Sequence, residues 1–90
     1  MNIVTSELYE KQLKDILNII GENSYEAAKS FKTYLDTIVL NIPSKEKKYK
    51  KSIYFNDENI KDVEFQGCRI VFFKDEPKER FMILGITAKS

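Results

Sequence analysis

The most constraining feature of the sequence is a run of six residues, CRIVFF, that begins at Cys68 and is apolar except for Arg69. Successive side chains of a β-strand point to opposite faces, so Ile70 and Phe72 would lie on one face and Val71 and Phe73 on the other. Both faces of the sheet that contains this strand therefore carry apolar side chains and need a cover.

Two amphipathic helices are predicted before this strand. Apolar residues at helical spacing predict a first helix over residues 6–20, which Gly21 ends. A second stripe predicts a helix that begins with a capping box at Asn23 and Glu26 and ends at Pro43. Two helices joined by about three residues are expected to form an antiparallel hairpin.

After the helices the apolar period falls to two, which predicts a β-meander. The three predicted strands are Ile60–Phe65, Cys68–Lys74 and Arg80–Ala88, with Gly85 marking a bulge. With a short β-prone start, the order is β-α-α-β-β-β in a single α+β domain spanning residues 1–90. We expect an antiparallel sheet with the N-terminal helical hairpin packed on one face. The other face would be covered by residues 52–55 or by a partner chain.

Composition excludes several kinds of site. The chain has no histidine and one cysteine, so neither a Cys/His zinc site nor a His-dependent nucleophile can form. The acidic residues lack metal-ligand spacing and the three glycines are too far apart for a phosphate loop, so we expect no metal and no cofactor. The start has no signal-like apolar region and no run is long enough for a membrane span, which favours a cytoplasmic protein without membrane contact.

Arg69 lies at the head of the apolar strand and allows two interpretations. Its stem could pack on the sheet with the guanidinium in water or paired with Glu64. Alternatively, the guanidinium could serve as an anion fork that binds phosphate in an apolar concavity.

The segment SKEKKYKK, residues 44–51, is predicted to be an exposed basic loop. Such a run is usually a solvated surface. Lysines around an aromatic ring also suit nucleic acid, because the charges follow phosphates and the ring stacks on a base. The candidate nucleic-acid or target-binding residues here are Lys45, Lys47, Lys48, Tyr49, Lys50 and Lys51.

The order, spacing and length of these elements resemble the RelE/ParE superfamily, the toxin halves of bacterial type II toxin–antitoxin pairs. The stretches that carry the resemblance are LYEKQLKDILNII, SYEAAKSFKTYLDTIVLNIP, FQGCRIVFF and FMILGI. The third is similar to the family's Gly-aromatic-Arg-Ile-x-aromatic strand, although Cys68 stands where an aromatic residue is commoner.

The resemblance implies an open concave sheet that carries the inhibitory activity and is wrapped by a cognate antitoxin. An antitoxin segment would lay apolar side chains on Val71 and Phe73 or add a strand to a sheet edge. We expect the isolated protein to form a homodimer or to aggregate through the same face.

The superfamily divides by target. ParE-like members inhibit DNA gyrase without catalytic residues of their own, and this is the preferred interpretation, since no C-terminal tyrosine or histidine element of the nuclease kind is seen. The alternative is a RelE-like endoribonuclease that cuts mRNA on the ribosome; its catalytic residues would be Arg69 and Lys89, with Lys61 as a remaining basic contact. A second alternative is an inactive toxin fold that only binds its antitoxin. Whether the protein is an enzyme therefore stays open.

Overall fold

The computed structural model describes residues 1–88 and confirms the predicted α+β class. The predicted order of helices and strands is also found. The elements are β1 (Asn2–Thr5), α1 (Glu7–Asn23), α2 (Tyr25–Lys45), a 3-10 helix (Glu46–Lys48), β2 (Ile60–Phe65), β3 (Cys68–Asp75) and β4 (Arg80–Ala88).

A single residue, Ser24, separates the two helices. Its N–H donates to the Ile20 carbonyl (3.1 Å), and its hydroxyl accepts a hydrogen bond from the Ala27 N–H (3.1 Å). Ser24 therefore ends α1 and caps α2. The predicted stop at Gly21 and the predicted cap at Asn23 were wrong, because a helix tolerates one glycine at a cost of about 1 kcal/mol when a stronger cap follows.

The end of α2 also differs from the prediction. The helix continues two residues beyond Pro43, because Ile42 and Glu46 on either side are both buried and hold the last turn in place. Residues 44–48 are consequently helical rather than part of an exposed loop.

The sheet has the strand order β1-β4-β3-β2 and is mixed. The pairs β2–β3 and β3–β4 are antiparallel, but β1 runs parallel to β4, with Asn2 opposite Arg80 and Thr5 opposite Ile83. The prediction of a wholly antiparallel sheet was wrong for β1. A tight turn forces neighbouring strands to be antiparallel, and no such turn joins β1 to β4.

The hydrophobic core combines buried side chains of both helices with alternate positions of β2, β3 and β4. Phe72 is fully buried at its centre, and its ring meets that of Phe81 edge to face at 5.9 Å. The core cluster contains Tyr9, Leu13, Phe31, Leu35, Val39, Ile42, Val63, Cys68, Ile70, Phe72, Phe81, Ile83 and Ile86.

A β-bulge lies where the sequence predicted it, beside Gly85. The register shifts between Val71, which is opposite Gly85, and Phe72, which is opposite Ile83. The Ile86 N–H there donates to Oε1 of Gln12 (2.9 Å), and a Cβ at Gly85 would lie 2.7 Å from the same oxygen. A side chain at this position would therefore displace the end of the Gln12 side chain, and glycine leaves room for its hydrogen bond to Ile86.

Within residues 1–88, no helix has the length and apolar character needed to cross a membrane.

Candidate functional site on the open face of the sheet

The face of β3 opposite the core carries an apolar groove of about 340 Å³. Val71 lies in it, buried but outside the core cluster. Helix α1 contributes Leu8 and Gln12, so this helix reaches beyond the core face on which the sequence placed the hairpin. The groove is lined by Leu8, Gln12, Tyr54, Phe55, Val71, Leu84, Gly85, Thr87 and Ala88.

One wall of the groove is a segment of residues 50–55, which we call the strap. It begins along the outer edge of β2, where the Asp62 N–H donates to the Lys50 carbonyl (3.3 Å) and the Ser52 N–H donates to the Ile60 carbonyl (2.8 Å). Its two aromatic side chains then line the groove. The strap thus supplies part of the cover that the sequence required for this face.

Arg69 is held by two carboxylates on the same face. Its Nη2 donates to Oε1 of Glu64 (2.9 Å), which confirms the pairing considered from the sequence, and its Nη1 donates to Oδ2 of Asp62 (3.2 Å). The guanidinium is therefore not an unoccupied anion fork. The contact with Asp62 was missed. The register places Glu64 opposite Arg69 and Asp62 opposite Val71, so alternation along β2 could have indicated both partners.

Among the described residues, the buried Asp62 carboxylate accepts hydrogen bonds at one of its two oxygens and not at the other. Its Oδ2 accepts from both Arg69 and the backbone N–H of Ile53 (3.1 Å). Its Oδ1 is buried and has no hydrogen-bond partner within residues 1–88. Leaving a buried polar atom unpaired costs about 1–3 kcal/mol, so this arrangement is less stable than a fully paired one.

Asp62 and Arg69 also line a second concavity, the basic depression, of about 440 Å³. The last three lysines of the predicted basic segment line it together with Arg69, whereas Lys45 and Lys47 do not. The basic depression is lined by Lys48, Tyr49, Lys50, Lys51, Ile53, Asp62, Val63, Glu64 and Arg69.

Tyr49 has a role that the sequence did not predict. Its half-buried ring meets Phe72 edge to face at 5.9 Å and packs against the core. Burial raises the pKa of the Tyr49 hydroxyl. The ring thus anchors the basic segment to the core, and only part of it faces the depression.

Lys61 belongs to a different cluster, on the core side of the sheet. Its Nζ donates to Oε2 of Glu46 (2.9 Å) and to the Glu46 carbonyl (2.8 Å), and Lys74 donates to Oε1 (2.7 Å). Hydrogen bonds from Lys61 and then Lys74 hold the pKa of Glu46 below its usual range. Lys61 lines neither concavity. The one signal for this cluster was a lone glutamate within the lysine run.

The remaining residues that the sequence analysis considered do not line the groove or the basic depression in the described part of the chain. Phe73 is half-buried and does not line the groove, although Val71 does. Lys89 lies outside the described residues. Cys68 is buried in the core, and burial raises the pKa of its thiol. In the described part of the chain, no three cysteine, aspartate or glutamate side chains are grouped to hold a metal ion.

No protein-family model and no curated protein sequence matches this chain. The functional interpretation therefore rests on the geometry of the open face and on the resemblance in element order.

Proposed function

We propose that the protein is the toxin of a type II toxin–antitoxin pair, of the ParE-like kind that inhibits DNA gyrase. In this proposal the two helices cover one face of the sheet, and the open face is the surface that proteins bind. The protein would act in the cytoplasm and would be neutralised by a cognate antitoxin.

The observation that carries the proposal is the contrast between the groove and Arg69. The groove presents Leu8, Tyr54 and Phe55, which are large, apolar and about half exposed, as expected of a protein-binding surface. Beside it, the guanidinium that a nuclease would need for the phosphorane charge is engaged by Asp62 and Glu64. A protein that acts by binding another protein needs an exposed apolar surface and does not need a free guanidinium.

An antitoxin segment would fit the groove through apolar side chains that pack beside Val71, with Phe73 as a further contact on the same face. Without the antitoxin, two copies of the chain could use this surface to form a homodimer. Mixing the purified protein with its antitoxin should therefore remove any homodimer, as measured by light scattering.

The test is to induce the protein in bacteria that lack the antitoxin. We expect growth arrest with DNA-damage signalling, and we expect the purified protein to lower supercoiling by purified gyrase. Tyr54→Ser should weaken both effects, whereas Tyr34→Ser is the matched control, since the two tyrosines are 54% and 59% exposed and Tyr34 lies on α2 outside the groove. Unchanged supercoiling would reject the gyrase target.

A second candidate function is favoured by one observation, the meeting of three lysines with Arg69 in the basic depression. A RelE-like endoribonuclease would use these cations to bind mRNA phosphates on the ribosome. Purified protein added to translating ribosomes should then produce cuts at defined codon positions. Such cuts would replace the gyrase proposal, and absence of any growth arrest would leave the inactive, antitoxin-binding fold.

A further inference from the structure

The strap is held on the open face by polar contacts together with partial burial. Its three consecutive apolar residues, Ile53, Tyr54 and Phe55, are 69%, 54% and 47% exposed. These side chains are thus only partly buried, and polar contacts are also needed to hold the segment in place. Besides the backbone hydrogen bonds that pair its start with β2, the strap is joined to a side chain of the sheet by the hydrogen bond from the Ile53 N–H to Oδ2 of Asp62.

That contact depends on a buried charge. The side chain of Asp62 is 5% exposed, and the cation that compensates it is Arg69, whose side chain is 14% exposed. A buried carboxylate that loses its cation is strongly disfavoured unless it reaches water. Without Arg69, the Ile53 N–H would be the remaining donor to Oδ2, and water that enters from the basic depression and replaces this N–H would release the strap at Ile53.

The surroundings of Arg69 favour an anion that would compete with Asp62 for its guanidinium. Glu64 already holds Nη2, and the lysines Lys48, Lys50 and Lys51 line the same depression with an excess of positive charge. An anion is therefore attracted to the side of Arg69 that faces the depression. The incomplete hydrogen bonding at Oδ1 of Asp62 further lowers the cost of giving up the present arrangement.

We propose that the strap is a switch that couples the two concavities. An anion bound in the basic depression takes the Arg69 guanidinium, Asp62 becomes hydrated, and the strap releases Ile53 and moves the wall of the apolar groove. By linkage, a ligand that needs the displaced wall strengthens anion binding by the same factor. The inference does not depend on the cellular target, since it concerns the chain alone.

The anion that fits is a phosphate group. Guanidinium binds phosphate through two parallel hydrogen bonds, and the lysines add charge that favours a doubly charged group over a chloride ion. Free phosphates and the phosphodiesters of nucleic acid share this chemistry, so the experiment needs one arm for each.

The test is hydrogen exchange of backbone amides in the purified protein, measured by NMR. Pyrophosphate should accelerate exchange of the Ile53 amide at least tenfold relative to sodium chloride at equal ionic strength. The Tyr9 amide, which also donates to a side-chain oxygen, that of Ser6, is the reference and should not change. Acceleration by pyrophosphate alone assigns a free phosphate, and acceleration by a short single-stranded oligonucleotide as well assigns nucleic acid. No acceleration by either, or equal acceleration at Tyr9, overturns the switch.

Two variants separate the switch from a general loss of structure. Arg69→Gln should accelerate Ile53 exchange without any anion, whereas Arg80→Gln, at a more exposed arginine that pairs with Asp75, should not. Asp62→Asn keeps an acceptor for Ile53 and removes the charge that needs Arg69, so its Ile53 exchange should no longer respond to pyrophosphate. If Arg69→Gln fails to fold, a pyrophosphate response retained in Asp62→Asn still overturns the proposal.

Discussion

Two ionic clusters lie on opposite faces of the same two strands. On the core side, Glu46 is bound by Lys61 of β2 and Lys74 of β3. On the open side, Asp62 of β2 is bound by Arg69 of β3. Lys61 and Asp62 are neighbours in sequence and point to opposite faces because strand side chains alternate. Each cluster has a nearly buried carboxylate at its centre.

The clusters differ in how completely the carboxylate is hydrogen-bonded. Each side-chain oxygen of Glu46 accepts from its own lysine, so the cluster is complete and fixes the end of α2 to the sheet. In Asp62, Oδ2 accepts from two donors while Oδ1 has no partner within residues 1–88. A complete buried network makes a structure rigid, whereas an incomplete one is a place where the structure can change. The incomplete cluster is also the one that lines the basic depression of the open face.

The largest effect on stability is expected from Arg69→Ala, which leaves the Asp62 carboxylate buried without a cation. We expect a loss of roughly 3 kcal/mol in the free energy of unfolding, the lower end for breaking a buried pair. The corresponding fall in Tm is about 15 °C for a domain of this size. Urea unfolding followed by circular dichroism measures the change.

The double variant Asp62→Leu with Arg69→Met is the control for that prediction. Replacing both members of a buried pair by apolar side chains is often nearly neutral, so most of the stability should return. If the double variant were as unstable as Arg69→Ala, the lost stability would have come from packing rather than from the uncompensated charge.

Glu46→Gln should have the next largest effect, about 2 kcal/mol, since it weakens two charge-assisted hydrogen bonds while Lys61 and Lys74 can still reach water. The same urea experiment applies. A loss greater than that of Arg69→Ala would reverse the order of the two clusters and would identify Glu46 as the more strained carboxylate.

Acid should act through the complete cluster. The pKa of Glu46 in the folded protein is lowered, first by the hydrogen bond from Lys61 and then by that from Lys74. When the pH approaches the ordinary pKa of a glutamate, the unfolded chain therefore binds more protons than the folded one. The free energy of unfolding then falls as the pH falls. The contribution is fully present above about pH 5 and is lost as the pH drops through the lowered pKa.

In Glu46→Gln the fall of stability with falling pH should be shallower than in the unaltered protein. Urea midpoints between pH 6 and pH 2 measure it. Parallel pH profiles for the two proteins would show that Glu46 contributes nothing to acid sensitivity.

The smallest effect on stability is expected from replacing the exposed lysines of the basic depression, Lys48, Lys50 and Lys51, by glutamine. Surface charges of this kind change stability by about 0.5 kcal/mol or less. Any nucleic-acid or ribosome binding, in contrast, should lose part of its dependence on salt concentration. Binding isotherms at several salt concentrations test this, and an unchanged slope would remove the lysines from the interface.

Elements with a strong local signal were predicted well from the sequence. The bulge at Gly85 is an example, and so is the alternation in β3 that puts Ile70 and Phe72 in the core and Val71 outside it. Helix ends were predicted less well. The sequence offered Gly21 and Pro43 as stops, but the cap at Ser24 and the buried flanks of Pro43 outweighed them.

The candidate site was predicted only in part, because most of its contacts join distant segments. Glu46 and Lys74 are 28 residues apart, and Gln12 reaches Ile86 across 74 residues. The lysines of the basic segment looked equivalent in the sequence, yet Lys48 lines the depression and Lys45 does not.

By itself the sequence determined an α+β chain with apolar side chains on both faces of β3 and an arginine at the head of that strand. This much follows from periodicity, which depends only on near neighbours along the chain. Only the tertiary structure decided that Asp62 and Glu64 hold the arginine, that Lys61 turns to Glu46, and that the strap lies beside Val71. Such pairings depend on strand register and on how a loop returns to the sheet, and both are set by packing of the whole domain.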